Sequence, residues 1–195
     1  YSPGSDFIAL ENDFTVDLVA RSLSGEDVEP RRAAYDAFLA FRYEATMLLY
    51  ERLYSTLGSY ELYRVKWLFD IGCYYDLWLE LYLRDQHLDL AWLRGQLKQR
   101  DLVLGVLRRF RDLFLDVEDQ LRARGAYFRG NLGQFTSEFP TMTSAVGLGS
   151  DASARGALER TRETFNLTRR AALELLDRPG NDLTMRHFLS GKPLL

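Results

Sequence analysis

The stretch Tyr60–Leu83, YELYRVKWLFDIGCYYDLWLELYL, constrains this chain more than any other. It is too long and too continuously apolar for a strand and contains no proline, so it predicts a helix. Lys66, Asp70, Glu80 and Arg84 fall on one ridge of that helix, Lys66/Asp70 and Glu80/Arg84 each forming an i,i+4 pair. Almost everything else on it is apolar or aromatic, and a helix apolar nearly all round has to be surrounded by other helices or by lipid. Lipid is the poorer choice. Arg64, Lys66, Asp70, Asp76 and Glu80 would each cost roughly 2.5 to 3.5 kcal/mol near the centre of a membrane span. The stretch therefore predicts the central helix of a soluble bundle.

The flanking sequence supplies helices to surround it. After a flexible lead over residues 1–6, Ser5 or Asp6 can cap a short helix to about Leu23, with Phe7, Ile8, Leu10, Phe14, Leu18 and Val19 as its apolar side and Ser24-Gly25 as its end. Pro30, behind the acidic Glu26, Asp27 and Glu29, suits the first turn of a second helix running to about Leu57. Ala34, Phe38, Phe41, Ala45, Leu48 and Leu49 form its stripe. Gly58 closes that helix and Ser59 caps the central one, a connection short enough to demand an antiparallel hairpin. Asp89 caps a helix from 89 to 124 or further, with a continuation to Phe139 where Pro140 stops it. A loop follows, then a last helix opened by Asp151 or Ser153 and ended by Arg178-Pro179-Gly180. The organisation expected is an N-terminal arm and short helix (1–25), a helical bundle (26–178) and a C-terminal docking tail (179–195). The fold class is all-α, an up-down bundle of four long helices plus the short N-terminal one.

The chemistry of the side chains excludes more than it selects. With 195 residues, 47% of them apolar, the chain can bury a sizeable core. Its net charge of -3 gives no pull toward nucleic acid. Cys73 is the lone cysteine, placed mid-helix among aromatics where a thiol stays protonated and inert. Glu44, Glu51, Asp70, Asp76 and Glu80 lie on two neighbouring helices, the layout of a di-metal bundle, but such sites need Glu-x-x-His motifs. The only histidines, His87 and His187, form none. The carboxylates read instead as surface ridges and ion pairs. No phosphate loop, nucleophile elbow or paired metal-ligand motif is present, so no catalytic residue, cofactor or metal is expected and the chain is not read as an enzyme. It begins at Tyr1 without Met, which leaves open a cut chain or a removed targeting peptide.

Two features point to surfaces. Tyr60, Tyr63, Trp67, Phe69, Tyr74, Tyr75, Trp78 and Tyr82, with Tyr43, Tyr50 and Tyr54 before them, suit core and interface, or the lining of a pocket for a flat apolar ligand in a carrier or sensor. Lys66, Lys98 and Lys192 are the only lysines among 25 basic residues. Arginine does the rest, and Arg108, Arg109, Arg111, Arg122, Arg124 and Arg129 form a cluster able to dock on an acidic partner.

Residues Leu121–Phe135, LRARGAYFRGNLGQF, resemble the second-helix signature of the PsbQ family, written DLRLRASYLRYDL in some members and RGPLG in others. Ala157–Asp177, ALERTRETFNLTRRAALELLD, is similar to that family's LTSKLFSSIDNLDHAA helix, with Phe165 at its Phe position. The resemblance implies a non-enzymatic four-helix bundle in the thylakoid lumen, an extrinsic subunit of photosystem II or of a related complex. Its partners would be protein subunits, the chain sitting peripherally rather than integrally at the membrane. The expected docking residues are Arg108, Arg109, Arg111, Arg122, Arg124, Tyr127, Phe128 and Arg129, with Phe188 in the tail.

Overall fold

The computed structural model describes residues 3–128 and 154–195, and among them it is helical with no strand. The helices are α1 (Gly4–Leu23), α2 (Glu29–Tyr50), α3 (Tyr60–Cys73), α4 (Leu90–Ala123), α5 (Ala154–Glu174) and the short α6 (Met185–Leu189). The backbone of α3 runs on through a π-helical segment, Tyr74–Leu79, into one more turn, Glu80–Tyr82. Short 3₁₀ turns occupy Tyr54–Gly58 and Gln86–Leu88. Two compact units form: residues 3–48 with 81–104, and residues 49–80 with 105–128 and 154–195.

In the first unit the core is aromatic. Phe14 stacks on Tyr35 with ring centroids 3.9 Å apart, and Phe38 meets Trp92 edge-on at 5.8 Å. The Tyr35 hydroxyl donates to Asp17 at 2.6 Å, while Arg31 donates to Tyr35 and to the Leu88 carbonyl. Burial, ahead of the hydrogen bond to Asp17, pushes the Tyr35 hydroxyl up to about 12. The N-terminal helix is not short: it spans 20 residues. It starts behind Pro3 rather than at a Ser5 or Asp6 cap, since proline's fixed φ suits a helix entrance. It ends as expected at Ser24-Gly25. Gly25 takes φ +86° and the Glu26 N–H reaches back to the Arg21 carbonyl, the closure glycine permits after a helix.

In the second unit Phe69, Phe110, Phe114, Phe165 and Phe188 interlock, Phe69 stacking on Phe110 at 4.4 Å and Phe188 on Phe110 at 5.9 Å. The tail docks here. Thr184 caps α6, Asn166 accepts the Leu183 N–H at 2.7 Å, and Arg169 donates to the Leu194 carbonyl.

Several boundaries differ from expectation. Helix α2 stops at Tyr50 rather than Leu57, because Arg52 adopts φ +65° and turns buried Leu53 inward. Ser59 does cap α3, accepting from the Leu62 N–H, and Asp89 caps α4 by accepting from Ala91 and Trp92. Helix α4 ends at Ala123 without continuing, since Gly125 turns left-handed and the Ala126 N–H closes on the Leu121 carbonyl. The proposed continuation to Phe139, the loop after Pro140 and the caps at Asp151 or Ser153 lie outside the described residues. On α5 Leu158 is exposed. The inward side of α5 carries Thr164, Asn166 and Thr168 beside Phe165, Ala172 and Leu173, and Leu176 is buried just beyond its end. Among the described residues no helix is long and apolar enough to cross a membrane.

Candidate functional site

The expected docking residues do not share one surface. On α4, residues 108, 111 and 122 are separated by three and eleven positions, whole turns of a helix, and so share one face. Arg108 and Arg122 are exposed there, and Arg111 is half-buried between Asp112 and Glu51. Arg109 and Arg124 point elsewhere. Burial holds the Arg109 guanidinium below its usual value, and Arg124 donates to the Leu176 carbonyl at 2.9 Å. Tyr127 and Phe188 are core rather than surface: Phe188 is wholly buried, and the Tyr127 hydroxyl donates to the Ser55 carbonyl. Arg129 lies outside the described residues.

Phe128 is different. It is 78% exposed, edge-on to Tyr127 with centroids 4.6 Å apart. The Arg122 guanidinium sits 3.6 Å from the centre of the Tyr127 ring and pairs with Glu118 at 2.8 Å. Glu118 is buried and also accepts from the Ser55 hydroxyl at 2.6 Å. An anchored tyrosine thus forms a base from which an aromatic ring and a guanidinium face solvent together, the residue types that dominate binding energy at interfaces.

A second constellation lies inside the same unit, where α3 crosses α5. The π-helical segment, on which Asp76 lies, adds a residue to the turn, which carries Glu80 off the ridge through Lys66 and Asp70. Both carboxylates are buried, so the reading of these residues as a surface ridge does not hold. Glu80 pairs with Arg160 of α5, and Arg160 lies 3.8 Å from Asp76. The Thr164 hydroxyl donates to Asp76 at 3.0 Å. Gly72 makes this crossing possible, since a Cβ there would run into the Thr164 methyl. Lys66, itself buried, pairs with Asp70 at 2.5 Å as the i,i+4 spacing predicted. Burial pushes Asp70 up to about 6 against the pull of Lys66. Burial likewise pushes Asp76 up to about 6, opposed by Thr164 and Arg160. The Cys73 thiol between them is driven well above its usual value by burial and by both carboxylates.

Of the aromatics weighed as a pocket lining, Phe69 and Trp78 are packed in the core while Tyr43 and Tyr54 face outward. A cleft of about 350 Å³ lies instead along α5, with the polar lining Glu159, Arg162, Glu163, Asn166, Arg170 and Asp182. Glu44 pairs with Arg100 at 2.5 Å in the first unit. No group of three metal-ligating side chains occurs among the described residues. In comparisons with known proteins, no family model matches the chain, and no curated protein or solved structure matches it significantly.

Proposed function

We propose that this protein is a non-catalytic accessory subunit that docks on a larger membrane-associated complex through the exposed end of α4. The single observation behind this reading is that solvent-facing Phe128 and the Arg122 guanidinium both rest against the ring of buried Tyr127. A ring and a guanidinium already held in place lose little side-chain freedom on binding, which favours association. The reading extends the resemblance of Leu121–Phe135 and Ala157–Asp177 to the PsbQ family. On that basis we propose an up-down bundle of four long helices, a place in the thylakoid lumen and photosystem II or a related complex as the partner.

The test is native electrophoresis of gently solubilised source membranes, with the chain located by mass spectrometry before and after a high-salt wash. Comigration with a large complex that salt disrupts is the expected result, since exposed ion pairs are screened. Phe128→Ala should weaken retention while leaving the circular dichroism spectrum unchanged. A chain that runs alone near its own 22.6 kDa under gentle conditions overturns the proposal.

A further inference from the structure

The cleft along α5 is polar, and one of the side chains lining it is buried with donors still to give. Glu159, Arg162, Glu163, Asn166 and Arg170 lie within an arc of about 100° on that helix, and Asp182 of the tail completes the lining. Asn166 is 5% exposed, and its Oδ1 accepts the Leu183 N–H at 2.7 Å. Only the oxygen of an amide accepts from a backbone N–H, so this bond fixes the orientation of the group and leaves Nδ2 to the cleft. Among the described residues nothing accepts from Nδ2, and a buried donor left unmet is costly. The charges around it are divided. Arg170 pairs with Asp182 at 3.4 Å. Arg162 and Glu163, exposed and one turn before Asn166, take part in no ion pair among the described residues.

We propose that this cleft binds a free amino acid by its zwitterionic head, the carboxylate accepting from Asn166 Nδ2 and the Arg162 guanidinium while the ammonium donates to Glu163. Charge narrows the choice to this class. The lining carries three carboxylates and two guanidiniums, so a phosphate or other dianion meets a net negative wall. A polyamine meets Arg162 and leaves Nδ2 without an acceptor. An apolar ligand finds no apolar residue in the lining and strips water from polar groups without replacing their hydrogen bonds.

A zwitterion satisfies both signs together. Residues three and four apart on a helix lie about 5 to 6 Å from one another, so Arg162 and Glu163 both neighbour Asn166. The carboxylate and ammonium of an amino acid share one carbon and fit between them, each making a charge-assisted hydrogen bond. Arg170 and Asp182 follow one turn beyond Asn166, about 6 Å along the axis. They offer a donor and an acceptor side by side, the complement of a carboxamide, which selects glutamine. The cleft's volume of about 350 Å³ suits a small ligand.

Heteronuclear correlation spectra of the isotope-labelled protein observe the Asn166 side-chain amide directly. L-Glutamine titrated to roughly 20 mM is enough to saturate a site with a dissociation constant on the order of 1 mM. It should move the Asn166 Nδ2 and Arg162 Nε signals along saturable curves. N-acetyl-L-glutamine, which lacks the ammonium, and putrescine, which lacks the carboxylate, should leave them in place. Glu163→Gln, a change at an exposed position, should weaken glutamine binding about tenfold or more while the remaining signals stay those of the wild type. An Asn166 amide that does not respond to L-glutamine overturns the proposal, as does equal binding of N-acetyl-L-glutamine or an affinity unchanged in Glu163→Gln. Saturable binding of putrescine alone assigns the cleft to cations and also refutes it. L-Alanine binding as tightly as L-glutamine overturns the role given to Arg170 and Asp182. The cleft shares no residue with Phe128 and Arg122, so docking on a larger complex stands or falls separately.

Discussion

Asp76 makes the stability of this protein depend on pH in a direction opposite to that of most carboxylates. It is buried at the α3–α5 crossing, where its acid constant moves from 3.8 to about 6. A carboxyl whose folded value is raised binds its proton more tightly in the folded than in the unfolded state. Its contribution is fully present below pH 4 and is lost as the pH rises through 6. A shift of about two units corresponds to ~3 kcal/mol at 1.36 kcal/mol per unit, with the attraction of Arg160 already counted in that shift. Asp76→Asn keeps an acceptor for the Thr164 hydroxyl and removes the charge. At pH 4 variant and wild type should unfold within about 0.5 kcal/mol of each other, and at pH 7.5 the variant should be the more stable by up to ~3 kcal/mol. Guanidinium titrations followed by circular dichroism and tryptophan fluorescence at several pH values give the difference directly. Subtracting wild type from variant cancels the other titrating groups. A difference that stays flat between pH 4 and 7.5 would refute the placement of Asp76 in a desolvated site.

Two further expectations concern packing. Phe188→Ala empties the centre of the second unit, where Phe110 and Phe165 face it, and should lower stability by about 3 to 5 kcal/mol while making residues 181–195 cleavable in limited proteolysis. Gly72→Ala should cost about 1 to 3 kcal/mol by overpacking, although alanine is the better helix former. Thr164→Ser, which lacks the obstructing methyl but keeps the hydroxyl bonded to Asp76, should recover most of that loss in a double-mutant cycle. Stabilisation by Gly72→Ala alone would show that the helices do not approach so closely.

The elements legible in the sequence were those with a local chemical cause. Ser59, Asp89 and Gly25 cap or close helices by short-range hydrogen bonds and backbone preference, so their positions could be read directly. The stop at Tyr50 could not, because it depends on Arg52 in a left-handed conformation without glycine or proline to announce it. The π-helical segment leaves no pattern in Tyr74–Leu79 either, and a regular helical period gives no sign that Glu80 pairs with Arg160. The apolar residues of α1 span too wide an arc to share one buried face, so Ile8 and Val19 face solvent while Leu10 and Phe14 are buried. Of the docking residues, Arg122 and Phe128 combine exposure with a fixed base. Phe188 could not be placed by periodicity, because a helix of five residues has too few turns to show one.

The two units are interleaved along the chain, and this bears on synthesis. The apolar stretch 49–80 leaves the ribosome long before the phenylalanines that cover it, Phe110, Phe165 and Phe188. At about 5 to 20 residues per second, the interval from Glu80 to Phe188 leaves α3 without its full packing for roughly 5 to 20 seconds. During that interval Leu62, Phe69 and Trp78 are the surface to which a chaperone or an aggregating neighbour would bind, while residues 3–48 and 81–104 can already close on themselves.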